Sequence, residues 1–121
     1  MNNASRTTDD LSFLVGKALE QVCIGRFQAV LNFFDRAAIE VACGVEVIAD
    51  GSRKTISDDY QVDVGVELVG YLGRAVSHAE VSDEAIQLQF EGGASIRFLL
   101  RGGRYESVNV SGGPEGNLTF Y

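Results

Sequence analysis

The 121-residue sequence predicts a mainly β protein. It reads as two tandem antiparallel meanders forming an eight-stranded or larger barrel or sandwich, with one or two short helical turns. Three observations predict this. Apolar and polar residues alternate at period two in runs such as AIQLQFE and ASIRFLLR, the spacing of a strand with one buried face. The chain carries 14 glycines and a single proline, which suits many tight turns between strands. It also echoes itself at an offset of 57 residues: Gly16 falls on Gly73, Lys17 on Arg74, Ala18 on Ala75 and Ile24 on Val81. From Leu14 to Val41 the match needs no gap. Six of those 28 positions are identical, and the apolar positions keep phase through three successive segments. This predicts an internal duplication within a single domain spanning 1–121, with repeats at about 9–49 and 66–121 and a connector at 50–65.

The elements follow in order. DDLSFLVG predicts one helical turn, with Asp9 or Asp10 as its N-cap. A strand runs from Lys17 to Ile24. FQAVLNFF and AAIEVAC form a hairpin around Asp35-Arg36, with Ala29, Leu31 and Phe33 on one face. VEVIA (45–49) is a fourth strand. DGSRKTISDDYQVD is polar and without a clean period, so it reads as the connector. VGVELVGYLG is the second short helical stretch. The second meander repeats the first: a strand from Arg74 to Val81, then AIQLQFE and ASIRFLLR around Gly92-Gly93. Two alternating runs joined by two glycines are a hairpin signal. YESVNVS (105–111) supplies its fourth strand, and LTFY ends the chain as a short one.

Composition narrows the function classes. Hydrophobic residues make up 45% of the chain, enough for a core without disulfide or metal staples. The polar N-terminus has no apolar signal-peptide segment and no apolar run is long enough to span a bilayer, so a cytoplasmic protein with reduced thiols is expected. Cys23 and Cys43 lie in apolar strand segments and are expected to be buried small hydrophobes. The net charge is −7, and residues 50–91 alone carry −6 of it. Such a surface repels phosphate, so neither nucleic acid nor membrane is an expected partner. A basic protein is.

Catalytic chemistry finds little to work with. One histidine, His78, and two distant cysteines give no zinc spacing. Asp58, Asp59 and Asp63 lack the alternation of a calcium loop. No phosphate-binding glycine motif is present. His78 is expected to face outward, away from either thiol. Glu80, Asp83 and Glu84 sit at a strand end and turn, where no carboxyl is desolvated for acid–base work. No enzyme activity, metal or cofactor is therefore expected. The remaining candidate is a binding surface made of Asp58, Asp59, Tyr60, Asp63, Glu80, Asp83 and Glu84, with Tyr60 as an aromatic anchor among acids.

Several segments together resemble a group of small single-domain bacterial proteins of unknown function: LVGKALEQVCIGRFQAVLNF, the second LGRAV, the LQFEGG hairpin and YESVNVSGGPEG. Their genes look like those of contact-dependent and polymorphic toxin systems, where small acidic proteins serve as immunity factors. The resemblance implies a protein that occludes the basic cleft of a cognate toxin domain. Two other readings stand beside it. One is a small β-barrel holding a ligand between its halves, which would need convergent polar groups inside. The other is a self-assembling structural module, including a homodimer, paired through β edges.

Overall fold

The computed structural model describes residues 11–57, 61–100, 108–112 and 119–120. It is mainly β, with strands β1 Leu19–Ile24, β2 Ala29–Phe33, β3 Ala38–Val41, β4 Val45–Ala49, β5 Ser52–Ile56, β6 Val76–Val81, β7 Ala85–Phe90, β8 Ser95–Leu99, β9 Val108–Ser111 and β10 Thr119–Phe120. One α-helix, α1, spans Gln61–Val69, and Ser12–Leu14 and Phe34–Arg36 form 3₁₀ turns. The strands make two antiparallel sheets, ordered β1-β2-β3-β9-β10 and β5-β4-β8-β7-β6. Neither sheet closes on itself, so the barrel alternative is corrected to two open sheets. Their inward side chains meet in one core that includes Leu19, Leu31, Ile39, Val108, Leu88 and Phe98. Among the described residues no helix is long and apolar enough to cross a membrane.

The two meanders pair with one register. Leu19↔Phe33, Val22↔Leu31 and Ile24↔Ala29 join β1 to β2; Val76↔Phe90, Ala79↔Leu88 and Val81↔Ile86 join β6 to β7, each residue 57 further on. Both ladders slip at the same place, between Leu19 and Gln21 and between Val76 and His78. Such bulges bend a strand and add twist. The hairpins β2–β3 and β7–β8 agree in the same way, with Leu31↔Ile39 matched by Leu88↔Ile96. Where the units touch, the backbone bonds are reciprocal. Leu19 N–H donates to the Arg74 carbonyl and Val76 N–H to the Lys17 carbonyl, both at 3.0 Å. Gly16 N–H donates to Val76 and Gly73 N–H to Leu19, at 2.7 and 2.8 Å. Gly16 and Gly73 take φ of 90° and 86°, the region that favours glycine. Ala18 bridges its own counterpart, Ala75. Contacts of i with j and j with i mark a two-fold relation.

β4 covers the whole of 45–49 and β9 covers 108–111, residues 105–107 of the expected strand lying outside the described residues, but the two strands change partners. β4 pairs with β8 of the second meander, and β9 pairs with β3 of the first. The registers again correspond: Phe98↔Val45 and Ile96↔Val47 answer Val41↔Val108 and Ile39↔Val110. A polar pair sits at the same place on each seam. Arg97 donates to Glu46 at 2.9 Å, and Asn109 donates to Glu40 at 2.7 Å.

The stretch 50–65 is more than a connector, because it holds β5 and the start of α1. β5 is an edge strand, exposed along most of its length, so it lacks the alternating apolar face that reveals a strand. The second helical stretch is likewise not a single turn but the nine-residue α1. Its sequence, QVDVGVELV, is rich in β-branched residues and contains Gly65, all weak helix formers. Tertiary packing sustains it. Val64, Gly65 and Leu68 are buried, and a Cβ on Gly65 would stand 2.6 Å from the Ile24 side chain. The missing side chain is what lets the helix lie on β1. Gln61, 2% exposed, anchors the first turn by donating to the Cys43 carbonyl at 2.9 Å. Cys43 is buried as expected, but Cys23 is exposed. The bulge and the outer position of β1 at a sheet edge leave Cys23 on the uncovered face.

Candidate functional site

Two regions stand out at opposite ends of the β5-β4-β8-β7-β6 sheet. The first holds part of the acidic set predicted from sequence. Asp63 lies in the first turn of α1 and is exposed, where a carboxylate complements the helix dipole. Glu80 is exposed on edge strand β6, 3.5 Å from His78, which faces outward as expected. Asp83 and Glu84 occupy the β6–β7 turn. The Ser82 hydroxyl holds that turn by accepting from the Glu84 and Ala85 amides at 3.3 and 3.2 Å.

A line of backbone contacts brings these acids to the same end. Leu100 N–H donates to the Glu84 carbonyl at 2.9 Å and Leu99 N–H to Gly44 at 3.0 Å. Gln61 then ties α1 to the neighbouring Cys43. Asp58, Asp59 and Tyr60 lie outside the described residues.

Sequence reasoning missed the companion of this acidic end. The outward face of α1 carries Val62, Val66 and Val69, exposed by 39%, 61% and 40%. With Val64 and Leu68 facing inward, the helix is apolar on both sides. That pattern belongs to helices that are covered on both sides. Spacings of four and three residues were the available signal.

The second region is a cleft of about 410 Å³ at the other end, lined by Ala49, Asp50, Glu67, Gly70, Tyr71, Arg74 and the Gly92-Gly93-Ala94 turn. Tyr71 forms its floor. The ring packs against Phe90 at 5.5 Å between centroids, and the Arg74 guanidinium lies over it at 5.1 Å. Burial raises the Tyr71 pKa above its ordinary value. Glu67 and Asp50 push the same way, while Arg74 and Lys54 oppose them. The four charges thus all act on one hydroxyl, which stays protonated at neutral pH. Glu67 is paired to Lys54 at 3.0 Å. Arg74 and Asp50 have no ion pair among the described residues.

The corresponding positions of the first meander carry side chains. Phe13 stands where the second has Gly70, and Asp35-Arg36 where it has Gly92-Gly93. Lys17, the counterpart of Arg74, lies over the Phe13 ring at 5.6 Å and pairs with Asp35 at 3.7 Å. The sequence signal was present in the aligned halves, but Gly92-Gly93 reads there only as a turn.

Comparison of this chain with models of known protein families, with curated proteins and with solved structures finds no match.

Proposed function

We propose that this chain is a non-enzymatic binding protein of the immunity type, acting in the cytoplasm by docking on a basic toxin domain. The observation that carries the reading is the outward face of α1. Val62, Val66 and Val69 are exposed along a helix whose first turn, holding Asp63, starts at the end of the sheet that also presents Asp83 and Glu84. An apolar centre with a charged rim is the anatomy of a protein interface. The sign of the rim supports a basic partner, since residues 50–91 carry most of the negative charge. Occlusion requires no chemistry from this chain, only a stable surface. Opposite charges would steer encounter, and valines buried in the complex would slow its dissociation.

The matching registers and reciprocal contacts support a second part of the proposal. The two halves descend from one duplicated unit, whose last hairpin became exchanged between copies. The acidic turn Asp83-Glu84 then occupies the place of Arg26-Phe27, so one copy changed sign at its exposed turn.

The test is a kinetic binding assay against the basic domain encoded beside this gene. Joint neutralisation by Asp63→Asn, Glu80→Gln, Asp83→Asn and Glu84→Gln should leave stability within about 0.5 kcal/mol, as exposed substitutions do. Association at low salt should fall about 10-fold, because electrostatic steering changes on-rates by that order or more. Val66→Asp should instead speed dissociation. Wild-type kinetics from both variants would remove this face from the interface.

A further inference from the structure

The cleft floored by Tyr71 has a chemistry of its own, independent of the acidic end. We propose that it binds a small zwitterion of the α-amino-acid class, with the ligand carboxylate on Arg74 and its ammonium on Asp50 and Glu67. At the same place in the first meander the cation, Lys17, meets a carboxylate supplied by the chain itself, Asp35. In the second meander the position of Asp35 is Gly92, and the acid is gone. Arg74 keeps its perch on the aromatic ring without the partner that its counterpart has. An ideal Cβ on Gly92 would meet the Arg74 Nη1 at 3.5 Å, so the guanidinium edge lies directly over the vacated side-chain position. A ligand carboxylate placed there restores the missing pair, and a planar guanidinium is suited to take it through two parallel hydrogen bonds.

Charge balance selects the rest of the ligand. Arg74, Asp50 and Glu67 all line the cleft, and Lys54, which does not line it, pairs with Glu67. The four charges cancel, yet Arg74 and Asp50 have no ion pair among the described residues. A simple anion meets two carboxylates, and a simple cation meets Arg74. A neutral molecule with separated charges satisfies both sides, and within a partly desolvated site each contact is stronger than in water. The volume of about 410 Å³ lies in the range of small-molecule sites, roughly 300–1,000 Å³. Gly70, Gly92 and Gly93 put no side chain on the cleft, where the equivalent positions of the first meander carry Phe13, Asp35 and Arg36.

The test uses the intact chain and a panel of free amino acids, with glycine, L-alanine and L-leucine as first probes, followed by amide chemical shifts. Saturable shifts centred on Gly70, Gly92 and Gly93 are expected for at least one of them. N-acetyl-L-alanine lacks the ammonium and L-alanine methyl ester lacks the carboxylate; each should bind at least about 10-fold more weakly than L-alanine, as loss of one charge-assisted hydrogen bond implies. Gly70→Phe, which copies Phe13, should abolish binding while the melting curve stays that of the wild type. Its Cβ would meet only the Glu67 carbonyl, at 3.4 Å. The proposal is overturned if no probe saturates, if the acetylated or esterified probe binds as tightly as the free amino acid, or if binding survives Gly70→Phe.

Discussion

Asp35-Arg36 and Gly92-Gly93 turn the same corner in the two meanders with different residues. Asp35 and Arg36 take φ of 64° and 66°; Gly92 and Gly93 take 101° and 99°. In both, a three-residue loop joins the strands, closed by the Phe33 N–H donating to the Ala37 carbonyl and the Phe90 N–H to the Ala94 carbonyl, and its last two residues keep positive φ even where arginine must adopt it. The backbone path is common to both halves, while side-chain chemistry is free to differ. In the first half the turn supplies an acid that pairs with Lys17. In the second it carries no side chains, and Arg74 has no ion pair among the described residues. The cleft lies where the shared backbone frame carries glycine in place of side chains.

The largest effects should be equal in the two halves. Leu31 and Leu88 are counterparts, both fully buried. Leu31→Ala and Leu88→Ala should each cost about 3 kcal/mol in chemical denaturation, the usual range for a buried leucine being roughly 2–5. A cost below about 1 kcal/mol from either would break the equivalence of the two cores. Gly112 sharpens the comparison by its inequality. Its counterpart, Ala49, already carries a Cβ, whereas a Cβ on Gly112 would stand 2.6 Å from the Ala37 Cα and 2.7 Å from the Arg36 carbonyl, at a φ of 89°. Backbone cannot move aside as a side chain does. Gly112→Ala should cost about 2 kcal/mol, measured by the same unfolding assay.

A gain is expected at the first corner. Arg36→Gly relieves a left-handed arginine and should raise stability by about 1 kcal/mol. No gain in the unfolding midpoint would show that contacts made by Arg36 outweigh its strain. The smallest effect separates the thiols. A thiol reagent should label Cys23 rapidly in the native protein and Cys43 only on unfolding, and Cys23→Ser should change stability by less than about 0.5 kcal/mol.

Much of this frame is legible in the sequence. The period-two runs through Leu31 and Phe33, and through Leu88 and Phe90, locate the central strands because each has one wet and one dry face. β5 escapes detection because Arg53, Lys54 and Thr55 are all exposed and no apolar face marks the strand. The extent of α1 is hidden by valines on both sides of it. The exchanged pairing has no sequence signature, since Val45 and Val47 present the same pattern to either neighbour. Of the predicted acidic surface, Asp63, Glu80, Asp83 and Glu84 are exposed at one end of the molecule. The cleft was not legible because its lining comes from 46 residues of chain, Asp50 among them, and is chiefly glycine and charge.

The exchange of hairpins sets an order on synthesis. As the chain leaves the ribosome, β1, β2 and β3 can pair as soon as they appear, but β3 keeps an open edge until Val108–Ser111 arrives to cover it. An uncovered strand edge invites pairing with other chains. The first half is thus exposed to misassembly until β9 is made, and two nascent copies held close together could complete one another's sheets instead of their own. Strand β9, made long after β3, seals the first sheet that forms, so loss of β9 damages the beginning of the fold.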